Sequence, residues 1–395
     1  MFTGKNTIIR QYNMRYLRFL LFLLLFGLLA WWTWRPLHDL LFPKSPRELY
    51  LREQRDLVGE EDPDLLRWVA VNERVLRNPL TIGNAFVQRL NFNFYTAAPT
   101  SAQAYYFSIP RGRRLNVEAI PLGPGQLFGE LYRVGRDEEG NYYDRIGYWE
   151  DGLRYELSHL AGQAGEFVFL LQSELDFKSK VILKVQDSPS LDFPVAGVGD
   201  RAAQSFWGAD RDGGRRKHEG VDIFAERGTD LLASAGGTIT RVKEGGLGGK
   251  VVWMRTEENS LSLYYAHLSE QLVNVGDRVR AGDVIGKVGN TGNARTTPPH
   301  LHFGIYPAGR GAVDPWPFID RNEDKPLGTP PDPAWLGKLA TIPERGIYYL
   351  RSRPEKEESV IVRKLNPGEE VVFAGAQGKF RMLISEIGER GFVFW

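Results

Sequence analysis

The chain contains no cysteine. That absence excludes disulfides, thiolate metal sites and cysteine nucleophiles together. A surplus of either charge is also missing. Fifty Lys and Arg stand against 49 Asp and Glu, a formal net charge of +1, so no bulk field points to nucleic acid as a partner. Histidine is scarce, with six in 395 residues. It is not scattered. Four of the six fall in three short stretches: His218-Glu-Gly-Val-Asp222, Tyr265-Ala-His267 and His300-Leu-His302. Histidine is the commonest side-chain metal ligand and the usual proton carrier at neutral pH. Four of them beside one aspartate exceed what a core needs.

What is present has an order. Residues 1–18 hold Lys5, Arg10, Arg15 and Arg18 and no acid, and an apolar run follows from Phe19 to Trp32. Counted from Tyr16 to Trp34 it has 19 residues, roughly 28 Å as a helix, enough to span hydrocarbon. Trp31, Trp32 and Trp34 suit an interfacial belt. A signal-peptidase site wants small residues, and Ala30-Trp31-Trp32-Thr33 supplies large ones. The expectation is a cytoplasmic tail over 1–15 and an uncleaved single-pass transmembrane anchor over 16–34. It lies in the inner (cytoplasmic) membrane with the remainder on the periplasmic or extracytoplasmic side. Basic residues flank the run almost equally, so the orientation rests on the simpler topology of a short tail inside. Residues 35–79 read as a helical stalk or connector, with Asp62-Pro63-Asp64 as a helix start.

Period-two patterns take over at residues 80–187, as in Ala104–Ile109, Arg114–Ile120, Phe128–Val134, Glu166–Leu171 and Lys180–Val185. Short strands between Gly/Pro-rich turns predict a β-sandwich accessory domain. His159 stands alone there and is read as an ordinary core or surface residue. A Pro/Gly-rich boundary opens a glycine-rich β domain over 188–325. A proline-rich linker covers 326–340, and five short strand patterns over 341–395 predict a small barrel. The fold class is therefore mainly β and multidomain.

The histidine spacings have physical content. His300 and His302 are two apart, which puts both imidazoles on one face of a strand, and Pro298-Pro299 forbids a helix there. His218 and Asp222 are four apart, a helical spacing. Gly213-Gly214, Gly220 and the β-like Val221-Asp-Ile-Phe224 favour instead a bend leading into a strand. Three nitrogen or oxygen ligands with a fourth position open is the form of a catalytic zinc site. His218-Glu219 half matches the His-Glu-x-x-His helix of metalloproteases, which would make Glu219 the base. The central glycine and the terminal aspartate argue against that.

His-x-x-x-Asp, then Tyr-Ala-His-Leu, then His-Leu-His-Phe, in this order, resembles the LytM/lysostaphin-type zinc endopeptidases of peptidoglycan. The resemblance covers residues 195–320. It takes in Arg216-x-His218-x-Gly220-Val-Asp222-Ile, Val275-Gly-Asp-x-Val-x-Ala-Gly-Asp-x-Ile-Gly286 and Gly289-Asn-Thr-Gly292. It implies one Zn²⁺ held by His218, Asp222 and His302, with His267 and His300 as the unligated catalytic pair and no other cofactor. It also implies hydrolysis of peptide cross-links or bridges of peptidoglycan, in cell-wall remodelling. His300 is assigned mainly to the water and His267 mainly to the oxyanion, an assignment that could be reversed. Tyr265 is read as a wall residue. Arg295-Thr-Thr297 and the Gly245–Gly249 turn are each either groove border or plain loop. Asp210-Arg-Asp212 either orients a ligand histidine or forms a turn. The 341–395 module resembles bacterial Src-homology-3-like domains, through Leu350-Arg-Ser-Arg-Pro354 and Pro367-Gly-Glu-Glu-Val371.

Two other functions compete. Degenerate members of this family act as non-catalytic activators or scaffolds for other wall hydrolases, usually after losing zinc ligands, and all five motif residues are present here. The 233–239 and 275–286 segments also resemble halves of lipoyl or biotinyl carrier domains, but no modifiable lysine motif accompanies them. The expected partners are peptidoglycan peptides and the membrane, with room for a regulatory protein and no nucleic acid.

Overall fold

The computed structural model describes residues 44–83, 85–91, 101–138, 140–150, 155–177, 179–321, 336–356, 359–385 and 389–394. The apolar run at 16–34 lies outside them. Among the described residues no helix is long and apolar enough to cross a membrane.

Residues up to Asp62 form one unit and Pro63–Trp395 another. In the first, the helix Pro46–Val58 starts on a capping box. The Ser45 hydroxyl accepts from Glu48 N–H and the Glu48 carboxylate accepts from Ser45 N–H. Both otherwise orphaned donors at this end are thereby satisfied.

The second unit is mainly β. Its helix Pro63–Arg77 buries Leu65, Trp68, Val71 and Asn72. That stripe lies on the sheet containing strands Ala102–Ile109 and Gly165–Ser173, where Val71 packs with Ala102, Ala104, Val168 and Leu170. Its polar atoms are matched across the contact: Trp68 Nε1 donates to Ser173 O at 2.7 Å and Asn72 Nδ2 to Gln172 Oε1 at 3.1 Å. This five-stranded sheet faces a second sheet, built here from Ala85–Asn91, Lys180–Pro189, Arg113–Pro121 and Glu156–Leu160. Alternate residues of both, among them Tyr105, Phe169, Leu115 and Leu183, fill the core between them.

The second sheet does not stop at the sandwich. Ala85–Asn91 pairs antiparallel with Glu370–Gln377, Val87 opposite Ala376 and Gln88 opposite Gly375. The C-terminal strands thus extend it into one ten-stranded sheet. Phe392 and Met382 accordingly sit in the sandwich core.

A seven-stranded antiparallel sheet forms the centre of the glycine-rich domain. Its strand order is Ala203–Ser205, Val221–Phe224, His300–Tyr306, Ser262–Leu268, Lys250–Thr256, Gly237–Glu244, Arg278–Val279. One face packs a core of Val221, Ile223, Leu263, Tyr265, Leu301, Phe303 and Ile305. Tyr265 is buried there, its hydroxyl donating to Ser234 Oγ at 3.0 Å, and so lies on the face opposite to the ligands. The short helix Trp316–Ile319 closes the domain and meets the sandwich, where the Phe318 ring lies against Gly112.

An ion pair secures that meeting. Arg113 Nε donates to Asp187 Oδ2 at 3.0 Å, with side chains 4% and 3% exposed, and Arg113 Nη1 donates to Asp320 O at 2.5 Å. Removing one partner of a buried pair leaves the other charge uncompensated, at a cost of about 3–5 kcal/mol. Arg113→Ala is therefore expected to lower the urea midpoint clearly, whereas Arg77→Ala, on a side chain 80% exposed, leaves it nearly unchanged.

Candidate metal centre

The open face of the seven-stranded sheet gathers the scarce histidines. Asp222 pairs with His302 and Phe224 with His300 across neighbouring strands. Directly opposed residues share a face, so Asp222, His302 and His300 all point out of the sheet on one side. His218 precedes the Val221–Phe224 strand in a loop and folds back over it.

Three atoms converge: His218 Nε2, Asp222 Oδ1 and His302 Nδ1, each 3.0 Å from the other two. These residues form the cluster able to hold a metal ion among the described residues. The donor chemistry fits a cation. His218 Nδ1 lies 2.9 Å from Phe206 O, and a carbonyl only accepts, so the ring proton sits on Nδ1 and Nε2 offers a lone pair. With His302 Nδ1 likewise unprotonated, two lone-pair nitrogens and a carboxylate oxygen at this spacing repel one another unless a positive centre joins them. Burial alone would raise the Asp222 pKa, but in the metal-free site protonated His218 and His302 rings donating to it outweigh burial and hold the carboxyl far below the usual carboxylate range.

Outside the triangle, Asp222 Oδ2 accepts from Arg211 Nη2 at 2.7 Å. The guanidinium also donates to Ser205 Oγ at 2.6 Å. One carboxylate oxygen is thereby pinned outward and the other turned to the site. Asp210 pairs instead with Lys217, so of the Asp210-Arg-Asp212 stretch it is Arg211 that supports a ligand residue. Glu219 is exposed and is not among the converging groups.

Gly220 is needed because His302 lies against it. A Cβ there would stand 2.6 Å from His302 Cε1 and 2.6 Å from Phe303 O. Gly220→Ala is expected to push the imidazole off the triangle and lower metal affinity by about ten- to a hundredfold, read by chelator competition. Unchanged affinity would show that the close approach is idle.

His267 and His300 stand beside the triangle, ring centroids 5.1 Å apart, with His267 5.9 Å from His302. Each anchors its Nδ1–H on a backbone carbonyl: His267 on Thr291 O and His300 on Pro298 O, both at 2.9 Å. Each therefore presents Nε2 as an acceptor. Burial, then the charges of His302 and His300, push the His267 pKa down to about 4, which keeps that ring neutral at pH 7. Phe224 packs on the His300 ring at 5.0 Å.

His267 has φ +67°, a left-handed conformation rare for a residue with a side chain. The loops around it hold it there. His267 N–H donates to Gly248 O at 2.8 Å, and Thr291 N–H donates to His267 O. Thr291 Oγ1 accepts from Lys250 N–H and donates to Leu268 O, both at 2.9 Å. Gly249 and Gly292 meet backbone to backbone where side chains would collide. The Gly245–Gly249 turn is thus a brace for His267, and Thr291 is the residue of the Gly289–Gly292 stretch that positions it.

An open site of two imidazoles and a carboxylate, flanked by two further proton-accepting imidazoles, is the constellation of a metal-dependent hydrolase. The chain matches the profile of peptidase family M23 over residues 216–315. It is 32% identical over 200 residues to the L-Ala–D-Glu endopeptidase of Bacillus subtilis, covering 48% of this chain and 56% of that protein. It is 30% identical over 192 residues to the peptidoglycan DD-endopeptidase ShyC of Vibrio cholerae, covering 49% of this chain and 35% of the other. The chain thus spans between about a third and just over half the length of these curated relatives. The solved catalytic domain of lysostaphin from Staphylococcus simulans shares 34% identity, covering 29% of this chain and 89% of that structure, with a TM-score of 0.27.

Proposed function

We propose that this chain is a zinc-dependent endopeptidase that hydrolyses peptide cross-links or bridges of peptidoglycan in cell-wall remodelling. The observation that carries this reading is the convergence of His218 Nε2, Asp222 Oδ1 and His302 Nδ1 beside two imidazoles whose Nδ1 protons are already engaged. Zinc held by these three residues would polarise the scissile carbonyl and acidify a water. The chain's own residues do the rest. His300 Nε2 takes the proton of the attacking water and passes it to the leaving nitrogen.

His267 needs closer argument. To hydrogen-bond an oxyanion through Nε2 it must carry a proton there, and the resting ring holds its proton on Nδ1. In the neutral site both rings are acceptors. The oxyanion role falls to the ring that has just gained the proton. His267 and His300 therefore act as a proton-handling pair, with His300 assigned mainly to the water.

The anchor reading of residues 16–34 places the peptidase in the inner membrane, facing the wall. The 341–395 module, read as Src-homology-3-like, would hold wall peptides. Activity on purified peptidoglycan and zinc content, compared between wild type and His300→Ala, test the enzyme. If both proteins are equally inert and the wild type still stimulates an amidase, the chain is a scaffold.

A further inference from the structure

The face that carries the ligands also carries a row of aromatic rings with no part in the mechanism above. Tyr264 lies opposite Gly304 and Trp253 opposite Tyr264 in the strand register, and Ala266 lies opposite His302. Tyr264, Trp253 and Tyr306 therefore share the face of His302. The rings touch in sequence: Trp253 to Tyr264 at 4.5 Å and Trp253 to Tyr306 at 5.1 Å between centroids. At one end Tyr264 meets the ligand His302 edge-on at 5.8 Å. At the other the Arg241 guanidinium lies 5.9 Å from the Trp253 ring. The Tyr264 hydroxyl rests against Gly248, so the row is bounded by the loop that braces His267. All three rings are only half-buried.

Position and chemistry narrow the occupant. Two inter-strand steps separate His302 from Trp253, about 10 Å, the reach of about three extended residues. The stem peptides of peptidoglycan offer methyl groups, carboxylates and an amine-tipped chain, none with a broad apolar face. The N-acetylated pyranoses from which the stems hang do offer one. Their axial C–H groups lie flat on aromatic rings, and their hydroxyl and acetamide groups bond to phenols and guanidinium.

We propose that Trp253, Tyr264 and Tyr306, with Arg241 at the rim, form a platform for an N-acetylated sugar of the glycan strand, so that the substrate is read as a sugar-linked peptide. This rests on the peptidoglycan reading of the site, and two measurements on the zinc-loaded full chain separate them. The first compares hydrolysis of cross-linked muropeptides with that of the same peptides freed of sugar. Wild type is expected to favour the sugar-linked form about tenfold, Trp253→Ala to bring the ratio towards unity, and Trp253→Phe to keep much of it. An equal rate on both substrates in wild type, or an unchanged ratio in Trp253→Ala, overturns the platform. The second needs no catalysis. Binding of a β-1,4-linked N-acetylglucosamine tetramer, read by calorimetry or NMR, is expected to weaken about tenfold in Trp253→Ala and in Tyr306→Ala. Tetramer binding through Trp253 in a chain that cuts no peptidoglycan leaves the platform standing and removes the peptidase. Cleavage with no tetramer binding does the reverse.

Discussion

Asp222→Asn is expected to yield a folded chain that retains no zinc after dialysis and hydrolyses peptidoglycan no faster than a blank. The substitution keeps the shape of the side chain, so packing around it is preserved. Its hydrogen-bonding pattern cannot be. Oδ1 faces two ring nitrogens at 3.0 Å and Oδ2 faces the Arg211 guanidinium at 2.7 Å. A carboxylate accepts on both sides, and an amide accepts on one. With its oxygen towards the triangle, the NH₂ group opposes a guanidinium, donor against donor. With the group flipped, the NH₂ points between His218 Nε2 and His302 Nδ1 and occupies the lone pairs that a cation needs. Either way the site also loses its negative charge while Arg211 stays beside it. Metal content and circular dichroism on the same sample check the outcome. Stoichiometric zinc at wild-type affinity would mean that Asp222 is no ligand.

The histidine face was legible because strand alternation is a local rule. His300 and His302, two apart after a pair of prolines, share a face in any strand, and the register puts Asp222 opposite the second of them. The bend at Gly220 was legible as a glycine, but not its reason, which is the ring of a residue 82 positions later. Arg211 carries a weaker signal: in the Asp210–Arg211 strand, neighbours point to opposite sides, so Arg211 faces away from Asp210. Thr291 carried no such signal, since its value lies in contacts to His267, Lys250 and Leu268 that only the folded loops create. Nor does any local pattern show that Glu370–Gln377 pairs with a strand of the sandwich. Edge pairing at that separation depends on backbone groups, which every residue supplies alike.

His300→Ala and His267→Ala are each expected to lower the rate on peptidoglycan by about 10²–10⁴-fold with zinc retained, the span over which positioned proton transfer acts. Retained zinc separates them from the ligand variants, because neither ring belongs to the triangle. Glutamine then distinguishes the two roles. Its amide can donate a hydrogen bond to an oxyanion and cannot take up a proton. If His300 accepts the proton of the water, His300→Gln is as slow as His300→Ala. If His267 also works by accepting, as its anchored Nδ1–H requires, His267→Gln is no better than His267→Ala. A His267→Gln rate within about tenfold of wild type would instead give that ring a fixed donor role at the oxyanion. It would also mean that the Thr291 contact is broken during turnover. Thr291 offers a further check on the same point. The His267 ring accepts nothing from the Thr291 side chain and leans on its carbonyl, so its tautomer survives Thr291→Ser. Loss of the hydroxyl in Thr291→Ala frees the donors and acceptors at Lys250 and Leu268 and loosens the left-handed backbone at His267. The serine variant should therefore keep most of the activity that the alanine variant loses.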